Sequence, residues 1–553
     1  MHRDFNFDSG ALLLMADIVL VNPRYSISYW GLEHALPIFR AKANMPAQCL
    51  PLLAALAGDE HSVTIIDENV EEIDFDRLAR ADIVGLTGMI VQRMRMKAIL
   101  EELKERGVFT IVGGAWITVK EDYFDGLADV MFVGEADETW PQFLNEWSRG
   151  EHQERYEQAN PTNMETLPVP RLDLLTKGKY MFGTLQISRG CPYQCEFCDI
   201  IVTFGRRPRL KTGEQVVAEL ENLAAQGVNI VFIVDDNLIG NKKAIKELLP
   251  HVIRWQEEND YPITFFTEAS IDLAEEEELM ELLGRASCQS VFVGIESPNE
   301  ASLLETKKNQ NVRKRAGTLV ERVHAIQNAG FDVWCGMIVG FDNDDATIFE
   351  AQKKFLKEAR IAQAMVGMLG ALPKTPLYER LREEGRLDED DSFQLGTNFV
   401  PAKMTREEIS KGYVDLMTDL YEPEAFFKRL DSLLYEGDFH LAAHHIEFWN
   451  SHRWLWFRRM MIGTTRFLGV SLMLMLKVKN RMLRRIYRRR LLRLMWNRPR
   501  EPEHWFIYSL KCAQHYHFYL MAEQMKEHGA INLGTDEHHY GNSKEQKLDK
   551  VAV

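Results

Sequence analysis

Between Asp17 and Val133 short apolar runs recur: Asp17–Asn22, Ser62–Asp67, Ile83–Thr87, Phe109–Val112 and Val130–Val133. Amphipathic stretches such as Gln92–Glu105 separate them. Short apolar runs alternating with helical patterns predict a parallel, doubly wound sheet. Residues 150–180 interrupt the pattern with polar positions and Pro161, Pro168 and Pro170, as a linker does. A second alternation starts at Thr184. Its runs are Thr184–Ser188, Ile230–Asp235, Ile263–Thr267, Ser290–Ile295, Val333–Val339 and Ala364–Leu369. Thr212-Gly-Glu-Gln215 has capping-box spacing for a helix that Gly227 would stop. Six strands with helices between them predict a partial (β/α)6 barrel. After Tyr421-Glu-Pro423 the chain reads as helical. The expected organisation is α/β: a Rossmann-like domain at 16–149, a linker at 150–180, a barrel at 181–423, a helical basic region at 424–525 and a disordered polar tail at 526–553.

Strand ends are where such sheets and barrels bind ligands. In the first alternation they carry Asn22-Pro23, Thr87-Gly88-Met89, Gly113-Gly114 and Gly134-Glu135. Glycine there lets backbone approach a ligand closely. In the second they carry Asp235-Asp236-Asn237, Glu268-Ala-Ser270, Glu296-Ser-Pro298 and Gly336–Phe341.

Composition adds compartment and partner. The 553 residues hold seven cysteines, at 49, 191, 195, 198, 288, 335 and 512, with no pairing pattern, which fits a reducing compartment. No signal-peptide pattern stands at the N-terminus, and Met15, just before the first strand, is an alternative start. The expected location is therefore cytoplasmic. Net charge is −16, yet residues 451–500 contain 15 Arg or Lys and no acid. One basic block in an acidic chain points to a local anionic partner, not to nucleic acid.

The chemistry centres on Gln186-Ile-Ser-Arg-Gly-Cys-Pro-Tyr-Gln-Cys-Glu-Phe-Cys-Asp-Ile200. Three thiolates at C-x3-C-x2-C can hold three irons of a [4Fe-4S] cube and leave the fourth open, whereas four-cysteine clusters are closed. Zinc normally takes four ligands in paired C-x2-C units, and no second pair exists. This motif, with Phe197 before its last cysteine, resembles the signature of the radical S-adenosylmethionine (SAM) superfamily. The resemblance implies that Cys191, Cys195 and Cys198 hold a cluster whose open iron chelates SAM. Reductive cleavage then gives a 5′-deoxyadenosyl radical. It also makes Asp235, Asp236, Glu268, Ser270, Glu296 and Gly340 candidate SAM-binding residues. Arg206, Arg207, Arg209 and Lys211 form a basic loop that could meet a carboxylate or phosphate. Cys288 and Cys335 read as core residues, with Cys335 a further candidate hydrogen donor.

The first third resembles the cobalamin-binding Rossmann-like domain found before many radical SAM barrels. On that resemblance Thr87, Gly113 and Gly114 lie where the corrin and its tail would bind, and Gly134-Glu-Ala-Asp-Glu-Thr139 matches a G-E-x-E-x-T segment with Asp at the fourth place. The D-x-H-x-x-G motif that ligates cobalt is absent, and His61 has the wrong spacing. The strings Cys195–Ile201, Phe204–Arg209, Val234–Asn237, Thr267–Ser270, Gly294–Glu296 and Ile338–Asp342 resemble the subgroup that includes the hopanoid C-2 methylases. The implied activity is cobalamin-dependent methylation of an unactivated carbon, with flavodoxin or ferredoxin as electron donor. Radical rearrangement, cyclisation or oxidation without methyl transfer is the alternative, and a non-catalytic cobalamin or redox sensor a second. S-adenosylhomocysteine and 5′-deoxyadenosine separate them.

The basic block places Met482, Leu483, Ile486, Tyr487, Leu491 and Leu494 on one helical face and Arg481, Arg484, Arg485, Arg488 and Arg489 on the other. Such a helix can lie in an anionic membrane surface or cap the barrel. Docking at the inner face of the membrane would suit a lipid or isoprenoid-like substrate. Phe467–Leu476 is too short an apolar run to span a bilayer.

Overall fold

The computed structural model describes residues 15–28, 31–388, 396–436, 439–440, 443–498 and 502–529. It divides into two compact units. The first comprises residues up to Arg24, Cys49–Thr162 and Pro168–Leu175. The second comprises Tyr25–Gln48, Asn163–Leu167 and the described residues from Thr176 on.

The first unit is built on β1 (Asp17–Asn22), β2 (Ser62–Asp67), β3 (Ile83–Thr87), β4 (Thr110–Gly113), β5 (Val130–Val133) and β6 (Arg155–Glu157). All pair in parallel, in the order β2-β1-β3-β4-β5-β6. The sheet core is closed by α1 (Arg93–Glu105), whose Met96, Ile99, Leu100 and Leu103 are fully buried. Their i, i+3, i+4, i+7 spacing is that of one helical face. Each such aliphatic side chain contributes about 1.5–3 kcal/mol by leaving water. A second helix, α2 (Thr139–Ser148), buries Trp140 and Phe143 against Phe132. Strand β6 lies in the stretch read as linker. It is three residues long, and only Tyr156 of it is buried, so it has no apolar run to betray it.

The second unit carries β7 (Gly183–Leu185), β10 (Ile230–Ile233), β11 (Thr264–Ala269), β12 (Cys288–Glu296), β13 (Asp332–Val339) and β14 (Ala364–Met368), all parallel and in that spatial order. Between β7 and β10 a two-stranded antiparallel ribbon forms from β8 (Ser188–Arg189) and β9 (Arg209–Leu210). Crossover helices are α3 (Gly213–Ala225), α4 (Lys242–Glu258), α5 (Glu277–Arg285), α6 (Leu319–Asn328) and α7 (Ile348–Glu358). Thr212 and Gln215 cap α3 with the reciprocal bonds their spacing predicts.

The sheet is strongly curved. Adjacent strands lie about 4.8 Å apart, so side chains two strands apart on a flat sheet are separated by roughly 10 Å. Phe266 of β11 and Trp334 of β13 nevertheless stack with centroids 5.7 Å apart across β12. They therefore lie on the concave face. Phe232, Phe266 and Trp334, with Phe182, form an aromatic layer across the lumen of this open barrel.

Beyond the barrel run α8 (Arg406–Tyr421), α9 (Pro423–Glu436), α10 (Arg453–Lys477), α11 (Arg481–Asn497) and α12 (Pro502–His528). Helix α12 packs against α8, α10 and α11. Lys511 of α12 pairs with Asp332 at the start of β13 (2.6 Å) and lies over the Trp334 ring. In α11 the buried side chains are Leu483, Tyr487, Leu491 and Leu494, as the helical wheel predicts, but Met482 is exposed. Arg490 is not a surface charge. It pairs with Asp431 (2.7 Å) and lies over Phe427. The helix α12 runs through His528, into the segment read as tail. The rest of that segment, 530–553, lies outside the described residues.

Candidate functional site

The three cysteines occupy the loop that joins β8 to β9. Gly190 opens it with φ 95°, and a Cβ there would stand 3.0 Å from Gly205 O and 3.2 Å from Arg207 O. No other residue type tolerates both. Asp235 and Asp236, past the end of β10, hold the base of the loop. Asp235 accepts from Ile187 N (2.8 Å) and Ser188 Oγ (2.6 Å). Asp236 accepts from Gly190 N (3.0 Å). The far side is clasped by the Glu196 carboxylate on Arg380 Nε (2.9 Å), by Glu196 N on Thr306 O (2.9 Å), and by Tyr193 OH on Asp272 (2.8 Å).

Two amides point at the sulfurs. Asn237 Nδ2 donates to Cys191 Sγ and Gln310 Nε2 to Cys195 Sγ, both at 3.8 Å. Ser270 N fixes Asn237 through its Oδ1 (3.1 Å). Phe197 lies 6.1 Å from Phe341, and the Gly340 turn that presents Phe341 is held by Asp344, which accepts from both backbone N–H groups. All three cysteines are free thiols. Burial pushes the Cys191 and Cys198 thiols up, so loading a metal here releases protons. Among the described residues no three His, Cys, Asp or Glu side chains stand ready as a metal chelate. The loop offers a three-thiol donor set with amide support, which fits an iron–sulfur cluster with one open iron.

Above the aromatic layer the lumen is acidic. Lys308 Nζ pairs with Glu296 Oε1 at 2.5 Å. Burial alone would lower Lys308, but Glu296 and the nearby cysteines hold it above its ordinary value. Burial, then the charges of Asp236 and Glu296, push Glu268 up to about 8. Burial likewise pushes Asp236 up to about 6. Glu296 has φ 62°, a left-handed conformation that costs a non-glycine residue roughly 1–3 kcal/mol and persists only where its surroundings enforce it. Glu296 and Glu268 beside one ammonium, with Asp236 close to Glu268, form a cation-receiving site.

Several sequence expectations change here. Both carboxylate oxygens of Asp235 are engaged by the loop, so it positions the cysteines. In the basic loop Lys211 is buried in a pair with Glu219, and Arg206 and Arg209 donate to loop carbonyls. Cys335 alternates with the lumen-facing Trp334 and Gly336 and is fully buried on the outer face of β13. It is not placed to donate hydrogen in the lumen. Lys308 and Gln310 were not anticipated. They lie in Thr306-Lys-Lys-Asn-Gln310, a polar stretch with no period to mark it. Asn237 did stand in a noted strand-end string.

In the first unit the strand order reverses between β1 and β3, which places a ligand crevice at their carboxyl ends. Thr87 ends β3, and Gly113 ends β4 beside Phe132. Gly114 has φ 99°, and a Cβ there would meet Thr87 Oγ1 at 2.5 Å and Gly88 N at 2.9 Å. A side chain would fill this cradle. Asn22 Nδ2 and Trp116 Nε1 are buried without a partner among the described residues. His61 Nδ1 accepts from Ala16 N at the amino end of the sheet, the wrong end for this crevice.

Two family models match: the radical SAM superfamily over residues 185–354 and a domain of unknown function, DUF4070, over residues 375–530. The hopanoid C-2 methylase of Rhodopseudomonas palustris is 35% identical over 420 residues, 75% of this chain and 78% of that protein. A methyltransferase of Synechocystis, without assigned substrate, is 37% identical over 74% of this chain and 77% of its own length. The solved structure of OxsB, a cobalamin-dependent SAM radical enzyme with aqua-cobalamin and SAM bound, is 16% identical. It superposes with a TM-score of 0.57 over 91% of this chain and 84% of its own, a likeness of fold.

Proposed function

We propose, for a chain that belongs to the radical SAM methyltransferase family of the hopanoid C-2 methylase, that it transfers a methyl group to an unactivated carbon of a lipid or isoprenoid-like substrate with the help of cobalamin. The observation that carries this reading is the 35% identity to that methylase across three-quarters of both chains. When bound, a [4Fe-4S] cluster with SAM supplies a 5′-deoxyadenosyl radical, and cobalamin supplies the methyl group. Cys191, Cys195 and Cys198 would hold the cluster. Asn237 and Gln310 orient two thiolates and, as N–H donors to sulfur, tune the cluster's potential. Asp236 and Glu268 receive the cationic part of SAM, while Lys308 holds Glu296 in place. Thr87, Gly113 and Gly114 would line the cobalamin crevice, and His61, at the opposite end of the sheet, would not reach the cobalt. A flavodoxin or ferredoxin supplies electrons.

The test is reconstitution without oxygen in the presence of hydroxocobalamin, followed by turnover with SAM and a hopanoid or isoprenoid. About one retained cobalamin per chain, with S-adenosylhomocysteine and 5′-deoxyadenosine formed together, is expected. Formation of 5′-deoxyadenosine with no cobalamin and no S-adenosylhomocysteine would replace methyl transfer by another radical reaction.

The same reading places the protein peripherally on an anionic membrane. Phe467–Leu476 proves to be the end of the 25-residue α10, which is long and apolar enough to cross a bilayer by length and composition. Trp454, Phe457, Met461, Leu468, Leu472 and Leu476 of it are exposed and recur at i+3 or i+4, apart from one polar place at Thr465. Its other side packs on α12, and Arg466 interrupts the middle, so lying on the surface is favoured over spanning. Trp496 of α11, 86% exposed among arginines, extends the surface. Leu468→Glu with Leu472→Glu is expected to cut co-sedimentation with phosphatidylglycerol vesicles at least tenfold, since each leucine is worth about 1.5–3 kcal/mol. Undiminished sedimentation would refute docking.

A further inference from the structure

The second unit contains a cavity of about 280 Å³ that the chemistry above does not use. It lies at the amino ends of the barrel strands, where Ile230, Thr264, Ser290 and Asp332 line it, beneath the aromatic layer. The cysteine loop is at the opposite, carboxyl end. Its volume approaches that of small-molecule sites, which start near ~300 Å³. Phe266 and Trp334 form its ceiling, and α10 and α12 its outer wall.

Two observations point to an occupant. Gln514 of α12 is 1% exposed, lines the cavity, and has no partner for either Oε1 or Nε2 among the described residues. An unsatisfied buried amide costs about 1–3 kcal/mol unless something meets it. Second, the wall of α10 brings three guanidinium groups to the cavity, Arg458, Arg459 and Arg466, while the lining carboxylate Asp332 is taken by Lys511. Arg458 is answered by Asp260 (3.6 Å) and Arg459 lies over the Trp449 ring (4.9 Å). Arg466, at the exposed edge of the cavity, has no acidic partner among the described residues. The outer face of this same helix is the exposed apolar stripe.

We propose that this cavity binds an anionic amphiphile. Its apolar part lies against Phe266, Trp334 and Ile507, and its carboxylate or phosphate head lies toward Arg459 and Arg466. The site is distinct from the reacting end of the barrel, and α10 faces it on one side and carries the lipid-facing stripe on the other.

The full-length protein, freed of lipid, would be titrated with the fluorescent fatty acid dansyl-undecanoic acid, which needs no cluster or cobalamin. Saturable binding is expected, displaced by oleate or by dispersed phosphatidylglycerol; whichever displaces at lower concentration identifies the head group. Gly463 gives a variant that fills the space. It lines the cavity, and a Cβ there meets nothing within 4 Å. Gly463→Phe is expected to weaken binding more than tenfold while co-sedimentation with vesicles stays unchanged. Arg466→Gln, which removes only charge, is expected to weaken the acid about tenfold and leave an uncharged alcohol of equal length unaffected. Absence of saturable binding by the natural chain, or equal binding by both variants, would overturn the proposal.

Discussion

Replacing Cys195 by alanine is expected to abolish SAM cleavage. Two thiolates cannot retain the three irons that a site-differentiated cube requires. Cys195 is buried, receives the Gln310 amide on its sulfur, and is held by its neighbour Glu196, bonded to Thr306, and by Cys198 N, which donates to its carbonyl. The variant should therefore fold, lose the broad charge-transfer absorption of the cluster, and form 5′-deoxyadenosine only at background. Cys288→Ala and Cys335→Ala are the matched controls. Both thiols are buried on strands away from the loop, so iron content should be unchanged. Retained iron and undiminished 5′-deoxyadenosine in the Cys195 variant would refute the cluster assignment.

Lys308→Met should produce the largest loss of stability from a single lumen substitution. It leaves Glu296 buried and unpaired beside Glu268 and Asp236. Breaking a buried pair from one side costs roughly 3–5 kcal/mol. The sign with pH follows from the neighbours. Without the ammonium, Glu268, already pushed up to about 8 by burial, attracts a proton more strongly still, and Asp236 beside it stands at about 6. The penalty is therefore full when they are ionised, above about pH 8, and shrinks as pH falls through 6 and they become neutral. Denaturant melts at both pH values measure it. An equal cost at pH 5.5 and 8.5 would show that Lys308 acts by packing and not by charge.

The sheets were legible because parallel strands buried on both faces write continuous apolar runs, and β1, β2, β3 and β5 have the boundaries those runs predict. The cysteine loop was legible because its chemistry is local. What the sequence hid is what depends on curvature and on distant segments. Lys308 meets Glu296 only because a left-handed residue and a register shift turn the end of β12 inward. Asp235 and Asp236 look equivalent in the sequence, yet Asp235 takes Ile187 and Ser188 before the loop while Asp236 takes Gly190, where the loop opens. Arg490 looks like another surface arginine until Asp431, 59 positions earlier, is brought beside it.

The interleaving of the two units has a consequence for synthesis. The chain leaves the first unit after Arg24 and returns at Cys49, so Tyr25–Gln48 belongs to the second unit. There Ser28 O and His34 N both bond to His517, the latter across 483 positions. A ribosome releases Tyr25–Gln48 long before it makes α12. Lys42–Gln48 can meet its partners at Lys179–Thr184 early, but the part around Ser28 and His34 must wait for His517 until almost the whole protein has emerged. Contacts so remote in the chain slow folding and prolong exposure to aggregation. Expression should therefore depend on chaperone supply more than the two compact units suggest, and a fragment ending before α12 would strand a segment near its own beginning.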